Sequence, residues 1–370
     1  MAGIYFHIPF CKRICAYCDF FKSLDISKMG ALIEAMHAEL ELRHGSLHDR
    51  HIRTIYFGGG TPSLCEPQAL QGLIDHAARL FDCHDLAECT TEVNPDDLTE
   101  EYLARLRDTD INRLSIGIQS FDNAELKLMN RRHTAEQAIE AVRRAQQAGF
   151  TNITIDLIFG VSGFGSEILQ HNIQTALSLG VQHISAYHLT IEPNTAFGRK
   201  VAHGGFAAVP DAVSEAEYLF THHALTQAGF EHYEISNYAL PGFRAQHNAA
   251  YWSGVEYLGI GPAAHSFDTQ TRHWGVNSIE EYIKGAPGGE ETLSERDHFN
   301  EYVMTSLRTL EGIDLRLLAT QFGQTRLDIL RREAAPFLLT GTLRVEKGKM
   351  AIPPEKFLVS DNVIAHLFET

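Results

Sequence analysis

Residues Ile4–Phe20, with the sequence IYFHIPFCKRICAYCDF, begin as a short apolar run and continue into a loop that carries three of the six cysteines of the chain. Cys11, Cys15 and Cys18 follow the run with the spacing C-x3-C-x2-C. Thiolates hold iron–sulfur clusters, which normally take four of them. Three thiolates on one loop therefore predict a [4Fe-4S] cluster whose fourth iron is open to a small chelating ligand.

Two other interpretations of the three cysteines stay open from the spacing alone. A structural zinc site usually has four protein ligands, and here the fourth would be His7 or a distant residue. The cysteines can also be structural thiols without a metal. Buried thiols of that kind are expected at the three scattered positions, Cys65, Cys83 and Cys89.

Length and charge narrow the classes of protein to consider. A chain of 370 residues predicts about two domains, one of which can be a barrel. A formal net charge of -16 argues against a general nucleic-acid-binding surface, which needs a basic patch. We find no apolar stretch near the roughly 20 residues of a membrane span and no secretory signal. With reduced cysteines, this predicts a cytoplasmic protein.

Strand-like and helix-like segments alternate along the first half of the chain. Helices are expected after the capping box Thr134-x-x-Gln137 and before the glycines at 149, 180 and 229. Such alternation predicts right-handed βαβ units and a parallel sheet. We therefore expect an α/β fold, a partial (β/α)6 TIM-like barrel with its site at the C-terminal ends of the strands. The expected strands are Ile4–Ile8, Thr54–Phe57, Glu88–Val93, Arg113–Ile118, Ile153–Ile158 and His183–Tyr187, with Tyr233–Ile235 as a further strand beyond them.

The predicted secondary structure changes near the C-terminal end of the sequence. Residues 1–275 are expected to form the barrel and an extension beside its mouth, and residues 276–290, with Pro287-Gly288-Gly289, a linker. Residues 291–370 read as helices followed by a hairpin through Lys347-Gly348-Lys349. This predicts a small α+β domain with a winged-helix-like arrangement. DNA binding is not expected, because the domain lacks a basic surface.

The loop C-x3-C-x2-C just after a first strand resembles the signature of the radical S-adenosylmethionine (SAM) superfamily, in which the amino and carboxylate groups of SAM occupy the open iron. The string GGGTPS at residues 58–63 resembles the SAM-binding turn of the oxygen-independent coproporphyrinogen III oxidase family. Further strings and the C-terminal domain extend the resemblance over most of the chain. It implies a [4Fe-4S] cluster on the three cysteines, with SAM at its open iron.

Polar residues at the strand ends are the expected SAM contacts. Glu92 can accept a hydrogen bond from a ribose hydroxyl or a cation, with a helix cap as the alternative, and Gln119 offers both donor and acceptor. Arg131 can pair with the SAM carboxylate, although Arg132 could exchange roles with it. Asp156 interrupts an apolar strand and needs a partner. The resemblance implies SAM contacts at Tyr5, Tyr17, Gly59, Gly60, Thr61, Glu92, Gln119, Arg131 and Asp156, with a core-aromatic role equally open for the two tyrosines.

Two features separate the branches of this family. The oxidases carry a fourth cysteine where this chain has Phe20, and they have a long extension ahead of the cluster loop. The chain thus resembles the heme-chaperone (HemW) branch, which carries an H-N-x-x-Y-W string. That string implies heme contacts at His247, Tyr251 and Trp252, with His265 as a second histidine. Without the resemblance, a histidine beside aromatic residues is typical of a packed loop.

The resemblance implies a heme chaperone that binds heme and transfers it to an acceptor hemoprotein, as a monomer or homodimer. The alternative is a radical SAM decarboxylase of coproporphyrinogen III, although Phe20 makes this enzyme activity unexpected. A scaffold that uses the cluster only for redox sensing is a third hypothesis, without a supporting motif.

Overall fold

The computed structural model describes residues 2–369, and two β-sheets organise them. The larger sheet consists of strands Ala2–Ile8 (β1), Ile52–Gly59 (β2), Glu88–Val93 (β3), Arg113–Gln119 (β4), Ile153–Phe159 (β5), His183–His188 (β6), Glu231–His232 (β7), Asn237–Ala239 (β8), Tyr257–Ile260 (β9), His265–Phe267 (β10), Thr271–Trp274 (β11) and Gly289–Thr292 (β12). The smaller sheet consists of Ile313–Asp314 (β13), Arg344–Glu346 (β14) and Lys349–Ala351 (β15).

Helices connect and cover the strands. Their bounds are Met29–Arg43 (α1), Pro67–Leu80 (α2), Glu100–Arg107 (α3), Asn123–Leu128 (α4), Ala135–Gln147 (α5), Ser166–Ser178 (α6), Ala196–Ala202 (α7), Asp211–Gln227 (α8), Gln246–Trp252 (α9), Ile279–Ile283 (α10), Glu295–Leu307 (α11), Leu315–Phe322 (α12), Gln324–Leu339 (α13) and Ser360–Leu367 (α14). Between residues 2 and 369, no helix combines the length and the apolar composition that crossing a bilayer requires.

The strands β1 to β6 lie side by side in chain order and pair in parallel. Strand β9 adds a further parallel neighbour on the free side of β1. Antiparallel strands then extend both edges, β10 to β12 on one side and β8 and β7 on the other. Sequential parallel strands joined by helices are βαβ units, so the expected partial barrel of six strands is confirmed.

Local sequence signals set several of these elements. The Thr134 hydroxyl accepts a hydrogen bond from the Gln137 backbone N–H, and the Gln137 side-chain oxygen accepts one from the Thr134 backbone N–H, so the expected capping box opens α5. Gly149, Gly180 and Gly229 end α5, α6 and α8 with φ of 92°, 64° and 93°. These angles lie in the left-handed region, which glycine adopts without strain.

One expected strand is not formed. Tyr233–Ile235 lies between the short strands β7 and β8, which pair antiparallel with each other. The Glu234 carboxylate accepts a hydrogen bond from the Ser236 backbone N–H at 3.1 Å. This local bond stabilises a turn, so the apolar residues beside it serve a hairpin and not a seventh parallel strand.

The range expected to be a linker, residues 276–290, is folded. It contains α10, in which Ile279 and Tyr282 are buried. The Tyr282 hydroxyl donates to Glu39 Oε2 at 2.6 Å, which fixes α10 against α1. The range then enters β12, which pairs with β11. The connection therefore completes an edge of the barrel before the chain reaches the C-terminal domain.

The C-terminal domain contains α11 to α14 and the smaller sheet, with its expected hairpin between β14 and β15. Lys347 and Gly348 form the turn with φ of 51° and 81°, as a type I′ hairpin turn requires. Phe357 packs edge-on against His232 with ring centroids 5.3 Å apart. The domain is thereby seated on the barrel and its extension.

A buried ion pair connects the barrel to the start of α9. The guanidinium of Arg113 donates to Asn152 Oδ1 at 2.9 Å, and its Nε lies 4.0 Å from Glu88 Oε2. Glu88 in turn accepts from the backbone N–H groups of Gln246 and His247 at 2.8 and 3.1 Å. Both charged side chains are 2% exposed, so neither has water as a substitute partner.

We expect Arg113→Leu to lower the free energy of unfolding by about 3–5 kcal/mol, because it leaves the Glu88 carboxylate buried without its cation. Urea titration of the metal-free protein, followed by circular dichroism, measures the change. Arg332→Leu is the matched control, since Arg332 is 72% exposed and pairs with its neighbour Glu333. Equal midpoints for the two variants would contradict the role assigned to the buried pair.

Candidate functional site

A cavity of about 470 Å³, which we call the mouth cavity, lies at the C-terminal ends of the parallel strands. This is the end of a β/α barrel at which active sites form. All three cysteines of the loop line it, together with eight of the nine residues expected to contact SAM: Tyr17, Gly59, Gly60, Thr61, Glu92, Gln119, Arg131 and Asp156. The exception is Tyr5.

The sulfur atoms of Cys11, Cys15 and Cys18 face this cavity as free thiols. Among residues 2–369, they do not form a set of ligand atoms that all lie within 4.8 Å of one another. A tetrahedral zinc ion, with Zn–S distances of about 2.3 Å, would bring its sulfurs to about 3.8 Å apart. The wider spacing disfavours a single zinc ion and leaves room for a cluster of several irons.

Donors surround the cysteine loop. Thr61 Oγ1 lies 3.7 Å from Cys11 Sγ, and Arg131 Nη1 lies 3.3 Å from Cys15 Sγ. Lys22 Nζ donates to the backbone carbonyl of Cys18 at 2.7 Å. Donors and cations at this distance offset the negative charge of thiolates and of a sulfide cluster. The donor set therefore fits an anionic metal cluster.

Burial controls the protonation of the thiols without a metal. It raises the pKa of Cys11 to about 11, against the opposing effect of the Thr61 hydrogen bond, and it also raises the pKa of Cys18. Both thiols are therefore protonated near neutral pH, and a metal must displace their protons to bind.

Arg131 is held inside the site by groups of the protein. The Nη2 of Arg131 donates to Asn94 Oδ1 at 2.7 Å and to the carbonyl of Gly117. The Nε of Arg131 is buried and has no partner among the described residues. Arg132 instead pairs with the carboxylates of Asp96 and Asp97 at 2.5 and 3.4 Å. Arg131 thus keeps a buried donor without a partner in the described part of the chain, whereas Arg132 is paired with two carboxylates.

Two carboxylates line the barrel interior below the cysteine loop. Glu92 accepts from the Tyr56 hydroxyl at 2.9 Å and from the Gly59 N–H at 3.1 Å. Burial, with a further contribution from the charge of Asp156, raises the pKa of Glu92 to about 7. Asp156 lies 3.5 Å from Ser115 Oγ, and burial raises its pKa to about 6. Both groups retain lone pairs for a ligand that donates hydrogen bonds.

The glycine turn after β2 packs directly on the cysteine loop. A Cβ on Gly60 would lie 2.6 Å from the carbonyl carbon of Pro9, and Gly59 has φ of 108° with the ring of His7 beside it. Side chains at these positions would push the loop away from β2. The turn therefore sets the distance between Thr61 and the cysteines.

Gln119 reaches the cavity through a distorted strand end. Its φ is 74°, and the register of β4 against β5 shifts between Gly117 and Gln119. Such a conformation is uncommon outside glycine and is typical of functional sites.

Tyr5 lies deeper in the barrel. Its hydroxyl is 3.0 Å from His7 Nδ1, and its ring stacks against Tyr56 with centroids 6.0 Å apart. Tyr5 does not line the cavity, and its position is that of a core aromatic residue, whereas Tyr17 lines the cavity.

The H-N-x-x-Y-W string forms α9, and its residues point in different directions. His247 is 2% exposed, and its ring nitrogens bond to Thr54 Oγ1 at 2.8 Å and to the Tyr251 hydroxyl at 2.9 Å. Burial lowers the pKa of His247 to about 3, so the imidazole is neutral. This geometry does not support the expected contact of His247 with heme. Tyr251 and Trp252 line a second cavity, and His265 lies exposed on β10.

Asn94 also lines the mouth cavity, although it is not among the expected SAM contacts. Its Oδ1 accepts from Arg131 and its Nδ2 donates to Thr61 Oγ1 at 3.1 Å, so one amide connects the arginine to the threonine beside Cys11. The signal was available in the string at residues 90–95, where a two-sided polar side chain follows a strand end.

Comparisons with known proteins agree with this geometry. Residues 5–189 match the model of the radical SAM superfamily, and residues 293–358 match that of the HemN C-terminal domain. The structure of coproporphyrinogen III oxidase (HemN) from Escherichia coli has the same fold, with a TM-score of 0.85 over 99% of this chain and 90% of that one, at 22% identity.

Two curated relatives carry the same name. The chain is 37% identical to the heme chaperone HemW of Lactococcus lactis over 323 residues, which cover 86% of this chain and 84% of the relative. It is 34% identical to the heme chaperone HemW of Mycobacterium tuberculosis, over 99% of this chain and 94% of the relative. The chain therefore belongs to the radical SAM superfamily and, within it, to the family of the heme chaperone HemW.

Proposed function

We propose that the chain binds heme and transfers it to an acceptor hemoprotein, and that it holds a [4Fe-4S] cluster with SAM at the open iron. The observation that carries the proposal is the similarity, over 84% and 94% of their lengths, to relatives named heme chaperones. Phe20 adds to it, because this side chain is 70% exposed beside the cluster loop, where the oxidases of the family have a cysteine.

The radical SAM fold implies both cofactors, and the residues of the mouth cavity fit them. When bound, the cluster supplies an electron and an iron that SAM can chelate. Cys11, Cys15 and Cys18 hold the cluster in this proposal. Arg131 pairs its free Nε with the carboxylate of SAM, since a guanidinium suits a carboxylate.

In this proposal the carboxylates contact the adenosyl end of SAM. Glu92 accepts hydrogen bonds from ribose hydroxyls, and Asp156, Gln119 and Thr61 complete the polar wall. Gly59, Gly60 and Tyr17 shape the turn and the lip of the cavity. A volume of about 470 Å³ is at the lower end of ligand pockets, so we place heme outside this cavity.

We place the protein in the cytoplasm, where free thiols stay reduced. It acts there as a monomer or homodimer. The competing hypothesis, radical decarboxylation of coproporphyrinogen III, is favoured by the complete set of polar residues in the mouth cavity. Anaerobic incubation with coproporphyrinogen III, SAM and a reductant separates the two, since only the enzyme yields protoporphyrinogen and 5′-deoxyadenosine.

Hemin titration tests the heme proposal. We expect a saturable shift of the Soret band at one heme per chain, followed by return of the free spectrum and appearance of the holo-spectrum when a heme-free b-type cytochrome is added. Free hemin at the same concentration is the control for transfer by simple dissociation. Absence of a stoichiometric shift would rule out the heme function.

Replacement of each loop cysteine tests the cluster. Anaerobic reconstitution with iron and sulfide should give the parent chain visible absorbance and about four irons per chain. We expect Cys11→Ser, Cys15→Ser and Cys18→Ser to gain neither. Cys83→Ser is the matched control, because Cys83 is a half-buried free thiol outside the cavity. A full iron content in the loop variants would exclude these cysteines as ligands.

The raised pKa of Glu92 predicts a pH dependence of SAM binding. The ionised carboxylate is the better acceptor and is lost as pH falls through about 7, so affinity should fall below that pH, by up to about tenfold per unit. Calorimetric titrations of the reconstituted protein between about pH 6 and 8 measure it.

Glu92→Gln should bind SAM more weakly with little remaining dependence on pH. Glu234→Gln is the matched control: burial raises the pKa of Glu234 to about 7 as well, but Glu234 does not line the mouth cavity. A pH profile that persists in Glu92→Gln, or disappears in Glu234→Gln, would contradict the assignment.

A further inference from the structure

A second and larger cavity lies between the barrel extension and the C-terminal domain. This cleft has a volume of about 1390 Å³ and shares no lining residue with the mouth cavity. Its walls are α9 and the strands β9 to β11 on one side, and α11 with α12 on the other. The volume exceeds that of pockets for drug-sized ligands, so the cleft can receive a large flat molecule.

Aromatic rings form both walls of the cleft. On the barrel side, Tyr251 packs edge-on against Tyr257 with centroids 4.6 Å apart, and Tyr257 continues to Phe267. On the opposite wall, the ring centroids of Tyr302 and Phe322 lie 5.6 Å apart. Aromatic faces on two sides suit a conjugated ring system, which they contact over a large area at small entropic cost.

The cleft is electrically balanced although the chain carries a net charge of -16. Four basic side chains and four acidic ones line it. Arg272 pairs with Glu301 at 2.7 Å, and Arg244 pairs with Glu311 at 2.7 Å, so both ion pairs join the two walls. These pairs are partly exposed and therefore weak, and an arginine can exchange its partner for a carboxylate of a ligand.

One imidazole faces the cleft among the lining residues. His298 stands on α11, with Tyr302 and Thr305 at i+4 and i+7 on the same cleft-lining face. Within residues 2–369, its ring makes no hydrogen bond or ring contact. An imidazole is a common axial ligand of heme iron, and no hydrogen bond to another described side chain has to be broken for this one to serve as such.

We propose that the cleft is the heme site and that His298 is a ligand of the heme iron. The proposal rests on the proposed heme function and deepens it. The porphyrin lies between the aromatic walls, its propionates pair with the arginines, and His298 supplies the bond to iron. His247 is a positioning residue here, because its hydrogen bond to the Tyr251 hydroxyl orients a ring of the cleft wall.

Hemin titrations of His298→Ala and His298→Gly test the ligand. We expect the dissociation constant to rise by about tenfold or more, and the Soret maximum and the electron paramagnetic resonance of the ferric complex to lose the features of histidine ligation. Added imidazole should restore those features in His298→Gly, because the small residue leaves space for it. His44→Ala, which removes an exposed histidine directly after the C-terminal end of α1, is the matched control and should bind as the parent chain does.

The outcomes separate the two proposals. An unchanged spectrum and affinity in both His298 variants, with normal binding by the parent chain, would overturn the assignment of His298 and leave the heme function standing. A parent chain that binds no heme would overturn the heme function itself. His247→Phe should fold and keep histidine ligation with weaker binding, whereas loss of ligation in a folded His247→Phe would contradict the cleft site.

Discussion

The site at the barrel mouth depends on the close contact between two loops that leave adjacent parallel strands. Strands β1 and β2 pair along their whole length, so the cysteine loop and the glycine turn begin side by side. Gly60 N–H donates to the Ile8 carbonyl at 2.9 Å, and no Cβ fits between Gly60 and Pro9. Because this close contact fixes the two loops relative to each other, it places Thr61 against Cys11 and so determines the shape of the cavity.

Much of this arrangement could be predicted from sequence because each signal is local. Strand β3 has the expected bounds, the Thr134 capping box is formed, and the cysteines, Glu92 and Arg131 meet at one end of the barrel because parallel strands end together. Local signals fail where a side chain changes the path of the backbone. Glu234 makes a turn of an expected strand, and Tyr282 anchors the expected linker to α1 through Glu39.

The H-N-x-x-Y-W string shows the limit of motif reasoning most directly. In an α-helix, residues four apart share a face, so His247 and Tyr251 meet, whereas Trp252 is turned further around the axis. A string of letters does not tell which face the protein buries. Here the N-terminal end of α9 is fixed by Glu88, which places the imidazole against β2 and leaves Trp252 at the cleft. That outcome depends on residues about 160 positions away, beyond the reach of any local pattern.

Because His247 is buried, it connects the two cavities through its contacts. Glu92, which lines the mouth cavity, accepts a hydrogen bond from Tyr56, and the Tyr56 ring stacks on His247 with centroids 5.2 Å apart. His247 bonds to Tyr251, which lines the cleft. Three successive contacts thus join two cavities that share no wall. Because the Tyr56 ring stacks on the buried His247 ring, a shift of Tyr56 beside Glu92 would change the packing of His247 and with it the support of the cleft wall.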